Sequence, residues 1–312
     1  MSSVPILQVV MYHYVRDLPN TRFPAIKGML ANDFRRQVAE LGQRFEMATL
    51  ESAMAFLAGR YSPRRDLCLL TFDDGLKEHS AEVAPVLASA GIEGVFFVIT
   101  GCLEDGRVAP VHMNHFLMAD MPFERYRSQF LERLHAKEPQ TNWTANVRQA
   151  EACRAYPWDT PEVASFKYLF NFGIPQVLRD TVVSEIFSGH FGLQRPFARD
   201  LYVSWEEALQ MQSAGMVVGG HTDSHCAISL MAASEMTADL ARCRTLLEKR
   251  LRPQPLWPFS YPYGKRNSFT EASVAYLRQL GFGCSFSTEI GGNQPGEDLF
   301  CIHRVDCKSV PN

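Results

Sequence analysis

The chain has 312 residues, 46% of them hydrophobic and 21% charged, which is enough apolar material for a large buried core and excludes a disordered chain. With 31 basic against 34 acidic side chains the formal net charge is −3, so bulk charge gives no nucleic-acid or anionic-membrane partner and specificity must come from a local site. No apolar run reaches the roughly 18 residues of an integral membrane segment, and "MSSVPILQVVMYHYV" lacks the basic stretch and cleavage site of a secretory signal, so the expected location is cytoplasmic.

In chain order, "ILQVVMYHYV" is the first β-rich run, followed by a helical pattern in "NDFRRQVAELGQRF" with Phe34, Val38 and Leu41 on one stripe behind an Asn32 or Asp33 cap. "LCLLTF" is a second strand, "SAEVAPVLASAG" a helix that starts at Ser80 and stops at Gly91, and "GVFFVIT" a third strand. From Cys102 to about Arg199 no β-run occurs, and "FERYRSQFLERLHAK" and "PEVASFKYLFNFGIPQVLRDTVVSEIF" read as helices. Alternation then resumes: "MVVGGH" follows "SWEEALQMQSAG", a helix capped at Ser204 and stopped at Gly215, and "LWPFSY", "FGCSF" and "LFCIHRV" follow "SEMTADLARCRTLLEKRL". Nearly continuous apolar strands alternating with helices predict an α/β fold with a parallel sheet, closed or partly closed into a barrel. The expectation is one domain over residues 1–312, carrying a mostly helical insertion at about 102–199.

None of the eight cysteines falls in a C-x-x-C pair, which argues against a zinc ribbon or redox motif and for reduced thiols. Cys68 in "LCLLTF" and Cys284 in "FGCSF" suit small buried hydrophobes.

Functional groups of parallel βα folds collect at the carboxyl ends of strands, and "LLTFDDGLKE" ends such a strand with two adjacent acids, Asp73 and Asp74, before Gly75. Successive residues point in different directions, so one carboxylate can bind a cation while the other faces a reacting molecule; an isolated Asp-Asp-Gly also serves as a plain helix-capping turn. "MVVGGHTDSHCAI" supplies His221 and His225 in H-x-x-x-H spacing, which on the first turn of a helix stacks both imidazoles on one face. Two imidazoles and a carboxylate are a common facial site for a divalent ion.

"TFDDG", "HTDSH" and "FSYPYG" resemble the first three motifs of the polysaccharide deacetylase family, the NodB-homology carbohydrate esterases, over about residues 4–100 and 200–305. The resemblance implies a distorted (β/α) barrel and a metal-dependent hydrolase that removes N-acetyl groups from a carbohydrate by metal-activated water. It implies one divalent ion, zinc first and cobalt, nickel or iron as others, held by Asp74, His221 and His225, with Asp73 as catalytic base. Tyr263 in "YPYG" would offer its backbone N–H to the oxyanion, and Pro262 and Tyr263 would line the substrate site. Two histidines compete as proton donor to the leaving amine: His13 in "MYHYV", which matches an early histidine of the subgroup acting on poly-N-acetylglucosamine-like substrates and is favoured, and His303 in "CIHRVD".

Where many members carry an arginine that tethers the base, this chain has Ser260, which leaves Lys265 or Arg304 to hold Asp73. His112 and His115 have H-x-x-H spacing but no strand-end carboxylate beside them, and the aromatic group Trp158, Phe166, Tyr168, Phe170 and Phe172 is better read as core than as a sugar platform. The expected substrate is an N-acetylated sugar nucleotide or lipid-linked saccharide of surface-polysaccharide biosynthesis. The rival readings are a deacylase or amidohydrolase acting on a formamide or cyclic imide, and a non-catalytic carbohydrate-binding relative. Retention of both aspartates argues against the last.

Overall fold

The computed structural model describes residues 5–145 and 147–310, and the chain divides into two compact units. The first comprises the chain through Thr21, Lys27–Arg107 and the chain from Ala198 onward; the second comprises Arg22–Ile26 and Val108–Phe197.

The strands of the first unit are β1 (Leu7–Tyr12), β2 (Val15–Arg16), β3 (Met29–Leu30), β4 (Glu46–Met47), β5 (Leu67–Phe72), β6 (Gly94–Val98), β7 (Val217–Gly220), β8 (Pro258–Ser260), β9 (Cys284–Phe286) and β10 (Val305–Asp306). Eight of them form one sheet in the order β10-β1-β5-β6-β7-β8-β9, with β4 against the first residues of β5, and β2 and β3 pair separately. Neighbouring strands run parallel. Beyond β9, Ile302 bridges Phe286 and Val305 pairs with Val10 of β1, which carries the sheet round toward its first strand. The architecture is a distorted (β/α) barrel, in keeping with the partly closed parallel sheet that the strand-helix alternation predicts and with the fold that the resemblance implies.

Each long strand buries both faces, and its residues divide by parity. In β5, Cys68, Leu70 and Phe72 join one core cluster with Phe34, Val38, Leu41, Leu240 and Leu247 of the flanking helices, while Leu67 and Leu69 join a second with Leu7, Val9, Val95, Phe97 and Phe286. Register then aligns the strand ends. Leu7, Val9 and Met11 of β1 stand opposite Leu67, Leu69 and Thr71 of β5, so the next pair on that face is His13 and Asp73; the Asp73 N–H extends the ladder to the Tyr12 carbonyl at 2.9 Å. By the same counting Gly219 of β7 leads to His221, whose N–H reaches the Val98 carbonyl at 3.0 Å, and Pro258 of β8 leads to Ser260.

Several helix boundaries follow the expectation and several do not. Ser204 caps Trp205–Ser213 in a reciprocal capping box with Glu207, and Gly215 stops it at φ 85°. Helix Ala31–Arg44 buries Phe34, Val38 and Leu41, but Asn32 and Asp33 lie inside its first turn; its cap position is Leu30, whose backbone is held in β3, so the entering strand sets the start. Ser80 is not a cap either: it sits within a π turn, His79–Val83, that precedes Ala84–Ser89. The expected strand over 299–305 shrinks to β10 and one bridge. The N–H and carbonyl of His303 are bonded by the Asn293 side chain at 2.8 and 3.0 Å, which replaces a ladder partner.

In the second unit the two expected helical segments appear as Phe123–Lys137 and as Pro161–Tyr168 and Gln176–Phe191, the latter two separated by a π turn at Leu169–Gly173, and Pro110–Asp120 and Gln149–Ala155 are further helices. Phe166 and Phe170 are buried against Phe130, with ring centroids 5.4 and 5.5 Å apart, whereas Trp158 is 78% exposed and belongs to no core. His112 is buried beside half-buried His115. All eight cysteines are free thiols, and Cys68 and Cys284 are fully buried as expected.

His79, at the start of the π turn, is wholly buried against the stacked rings of Phe72 and Phe96 and bonds the His13 carbonyl through Nε2 at 2.9 Å. Burial pushes its pKa down to about 4; the bond to His13 and the carboxylates of Asp74 and Asp73 offset only part of this. The unfolded chain therefore binds a proton here that the fold refuses, and stability should fall as pH drops from about 6.5 toward 4, by on the order of 3 kcal/mol at the bottom of that window. Urea unfolding of wild type and His79→Gln across this range should show the steeper slope in wild type; equal slopes would contradict it.

Candidate metal centre and catalytic site

The row formed by His13, Asp73, His221 and Ser260 lies where four parallel strands end, and the loops beyond it add Asp74, His225 and Tyr263. Asp73 continues the Leu69–Thr71 face of β5, so its carboxyl points to the side on which Arg304 is buried. Arg304 Nη1 and Nη2 donate to Asp73 Oδ1 and Oδ2 at 2.8 and 2.7 Å. Nη1 also donates to Thr71 Oγ1 at 3.3 Å, Nη2 to Ser260 Oγ at 2.9 Å and Nε to the Ser287 carbonyl at 2.8 Å, and Ser260 Oγ donates to Asp73 Oδ2 at 3.2 Å. Burial works to raise the Asp73 pKa, but Arg304, His221 and His13 outweigh it and hold the carboxyl at about 2. Of the two tethers left open by the sequence, Arg304 makes the contact, and Lys265 instead donates to the Thr288 carbonyl at 2.7 Å.

Asp74 turns the opposite way. His221 Nε2 and His225 Nε2 lie 3.5 and 3.3 Å from its Oδ1, and the three ligand atoms fall within 4.8 Å of one another; among the described residues this is the one such cluster of His, Cys, Asp or Glu. The donor chemistry fits a divalent ion. His221 Nδ1 lies 2.7 Å from the Ser260 carbonyl, which requires a proton on Nδ1 and leaves Nε2 as a lone pair aimed at Asp74; burial keeps the ring neutral, with a pKa of about 4. A lone pair and a carboxylate oxygen facing one another attract only through a cation between them. Asp74, His221 and His225 are each under 8% exposed, which shields such an ion from bulk water.

The H-x-x-x-H segment is not a helical turn, contrary to its spacing. Residues 221–225 form a loop in which Thr222 (φ 61°) and His225 (φ 59°) take left-handed backbone, and the two rings meet at 4.8 Å. Among the described non-glycine residues, positive φ occurs at these two, at Asp74 (81°) and at Tyr263 (62°), all in this site. The loop is braced from below: Thr222 Oγ1 accepts from the His225 N–H at 2.8 Å, and buried Asp223 accepts from Thr100 Oγ1, Arg107 and Arg242 at 2.9, 2.7 and 2.5 Å. Asp239 in turn accepts the N–H groups of Asp223 and Ser224 at 2.8 and 3.0 Å. Gly75 and Gly264, next to Asp74 and Tyr263, are also at positive φ, and a Cβ on either would strike Val98 or Thr288 within 3 Å.

The remaining candidates separate. His13 Nε2 stands 4.0 Å from Asp73 Oδ2 with its side chain 40% exposed, on the open side of the row. Tyr263 has its ring 5.4 Å from His225 and its carbonyl bonded by Thr288 Oγ1 at 2.8 Å, and Pro262 is buried beside it. His303 packs its ring against Gly291, and the side chain that reaches the row from that segment is the neighbouring Arg304. Ser260, Thr71, Asp223 and its two arginines were not read as site residues. Their types are ordinary, and only the folded chain brings them together: sheet register for Thr71 and Ser260, loop and helix packing for Asp223, Arg107 and Arg242.

The family profile described as polysaccharide deacetylase matches residues 60–133 and 180–284, which include Asp73, Asp74, His221, His225 and Tyr263 but neither His13 nor Arg304. No curated protein sequence matches the chain. Among solved structures it is similar to IcaB from Ammonifex degensii (20% identity over 96% of this chain and 91% of that one, TM-score 0.56). It is also similar to the Streptococcus pyogenes deacetylase PplD in complex with acetate (13%, 97% and 93%, 0.59) and to a de-N-acetylase from Aggregatibacter actinomycetemcomitans (14%, 98% and 97%, 0.57). At these identities the likeness is one of fold.

Because Asp73 and Arg304 are both buried and doubly bonded, removing one leaves a charge with no partner. Arg304→Met should lower the unfolding free energy in urea by about 3–5 kcal/mol, and adding Asp73→Asn should restore part of that loss. Strict additivity of the two substitutions would show that the pair is not coupled.

Proposed function

The chain belongs to the polysaccharide deacetylase family, and we propose that it removes N-acetyl groups from a carbohydrate in a reaction that depends on a divalent metal. The observation that carries this reading is the juxtaposition of Asp74, His221 and His225 within 4.8 Å beside a second carboxylate that has its own buried arginine. Asp74 Oδ1 and the two Nε2 atoms would hold the ion, which when bound supplies Lewis-acid polarisation and a lowered water pKa. Zinc is the ion we assign, with cobalt, nickel or iron compatible with the same donors.

The residues of the chain supply the rest. Arg304 keeps Asp73 ionised at working pH, so Asp73 accepts the proton of the attacking water as the new C–O bond forms at the acetamide carbonyl. The oxyanion that develops takes a hydrogen bond from the Tyr263 N–H, on the turn that Pro262 and Gly264 hold in place. An amine leaves poorly without a proton, and His13, across the open side of the row from Asp73, gives its proton to the nitrogen as the C–N bond breaks. Acetate and the free amino sugar are the products, and transfer of the proton from Asp73 to His13 resets both groups. Asp73 and His13, 4.0 Å apart, are close enough for that return through one small shift. A cytoplasmic setting and an N-acetylated precursor of a surface polysaccharide, either a sugar nucleotide or a lipid-linked saccharide, complete the reading.

The purified protein with Zn²⁺, Co²⁺ or Ni²⁺ should release acetate from N-acetylated oligosaccharides, sugar nucleotides or lipid-linked saccharides and lose this with chelator. Asp73→Asn should lose about 10³-fold in kcat yet retain bound metal, whereas His221→Ala should lose the metal itself. Absence of acetate across such a panel, with metal bound, would overturn the assignment.

A further inference from the structure

His79 contributes nothing to the metal cluster and does not reach the open side of the row, yet its ring bonds the main chain of the proton donor. Its Nε2 lies 2.9 Å from the His13 carbonyl, and a carbonyl accepts only, so Nε2 carries a proton; burial keeps the ring neutral. Nδ1 is buried with no hydrogen-bond partner, which costs stability without serving the fold. The ring cannot swing away. It packs edge-on against Phe72 at 5.7 Å and against Phe96 at 5.6 Å, and these two rings stack on each other at 4.6 Å. His79 also opens the π turn that follows the Asp-Asp-Gly loop, and single π turns recur at functional sites.

The carbonyl it selects completes a series. The Tyr12 carbonyl accepts from the Asp73 N–H and the Tyr14 carbonyl from the Met29 N–H, each at 2.9 Å; His13, between them, has left the strand and has its carbonyl held by His79. Since the His13 side chain is 40% exposed, its reach depends on this backbone anchor more than on packing. Asp73 is fixed from the other side by Arg304, so the 4.0 Å between donor and acceptor is defined by two independent anchors.

We propose that His79 is a positioning residue for proton donation: by holding the His13 carbonyl through Nε2–H, it sets the imidazole of His13 over the leaving nitrogen. The inference rests on the assignment of His13 as the donor. It predicts a defect confined to leaving groups that need a proton. Wild type, His13→Ala, His79→Phe and His79→Gln are compared on an N-acetylated chitooligosaccharide, whose amine must be protonated, and on para-nitrophenyl acetate, whose phenolate leaves unaided. His79→Phe keeps the ring packing and removes the donor, and should lower the amide-to-ester rate ratio on the order of 10²-fold through kcat, with KM and metal content unchanged. His79→Gln, which restores an N–H of similar reach, should recover most of the ratio. Equal losses on both substrates, or no recovery in His79→Gln, would overturn the proposal. A ratio that falls in His13→Ala but not in His79→Phe overturns this inference alone, whereas a wild-type ratio in His13→Ala removes the donor assignment and this inference with it.

Discussion

Two carboxylates on consecutive residues, both nearly excluded from water, are the constraint around which the first unit is organised. Asp73 and Asp74 are 2% and 3% exposed, and neither charge is tolerable at that depth without compensation. The solutions differ. Asp73 receives a bidentate guanidinium that is itself fully desolvated, and Asp74 faces imidazole nitrogens of which at least that of His221 is a lone pair rather than a cation. The first arrangement is complete within the protein. The second becomes favourable with a divalent ion, so under the function proposed above the same adjacency that is awkward for folding would separate one acid for proton transfer from another for coordination.

Keeping these groups on one row has a further cost in backbone strain. Asp74, Thr222, His225 and Tyr263 each hold left-handed conformations that side chains disfavour by roughly 1–2 kcal/mol. Such strain persists only where surrounding bonds over-determine it. The Asp223 carboxylate with Thr100, Arg107 and Arg242, and Asp239 beneath, do so for the histidine loop, and Thr288 does so for the turn at Tyr263. The sheet supplies the straight part of the site and these polar braces supply the bent part.

The strands were legible because short, nearly continuous apolar runs such as "LCLLTF" and "GVFFVIT" are what strands buried on both faces require, and the alternation with helices gave the parallel sheet. The Asp-Asp-Gly and H-x-x-x-H patterns were legible because their residue types are rare in combination at strand ends. What was lost is what depends on three dimensions. Asn32 looked like a cap because cap propensity is local, while the actual boundary is set by Leu30 pairing with Arg16 in another segment. Helical spacing suggested that His221 and His225 share a helix face, yet positive φ at Thr222 and His225 brings the rings together in a loop. His303 looked like part of a strand because an apolar neighbourhood does not reveal that Asn293 will satisfy its backbone.

Arg304 shows why reading motifs in order along a chain understates such a site. The position next to "YPYG" where a tethering arginine was expected holds Ser260, and a search confined to that segment ends there. In a sheet that curls back toward β1, the residue before β10 stands beside the inward face of β1 and β5, since Val305 pairs with Val10 and Val10 with Leu70. An arginine placed there reaches Asp73 from the far side, and the small hydroxyl of Ser260 both leaves room for it and bonds it at 2.9 Å. A larger residue at 260 would compete with the guanidinium for the same space, so the serine and the arginine are one solution written in two places. The quantity conserved by physics is a bidentate cation on the buried carboxylate, and its address in the sequence is free to move wherever the register brings a strand end close enough.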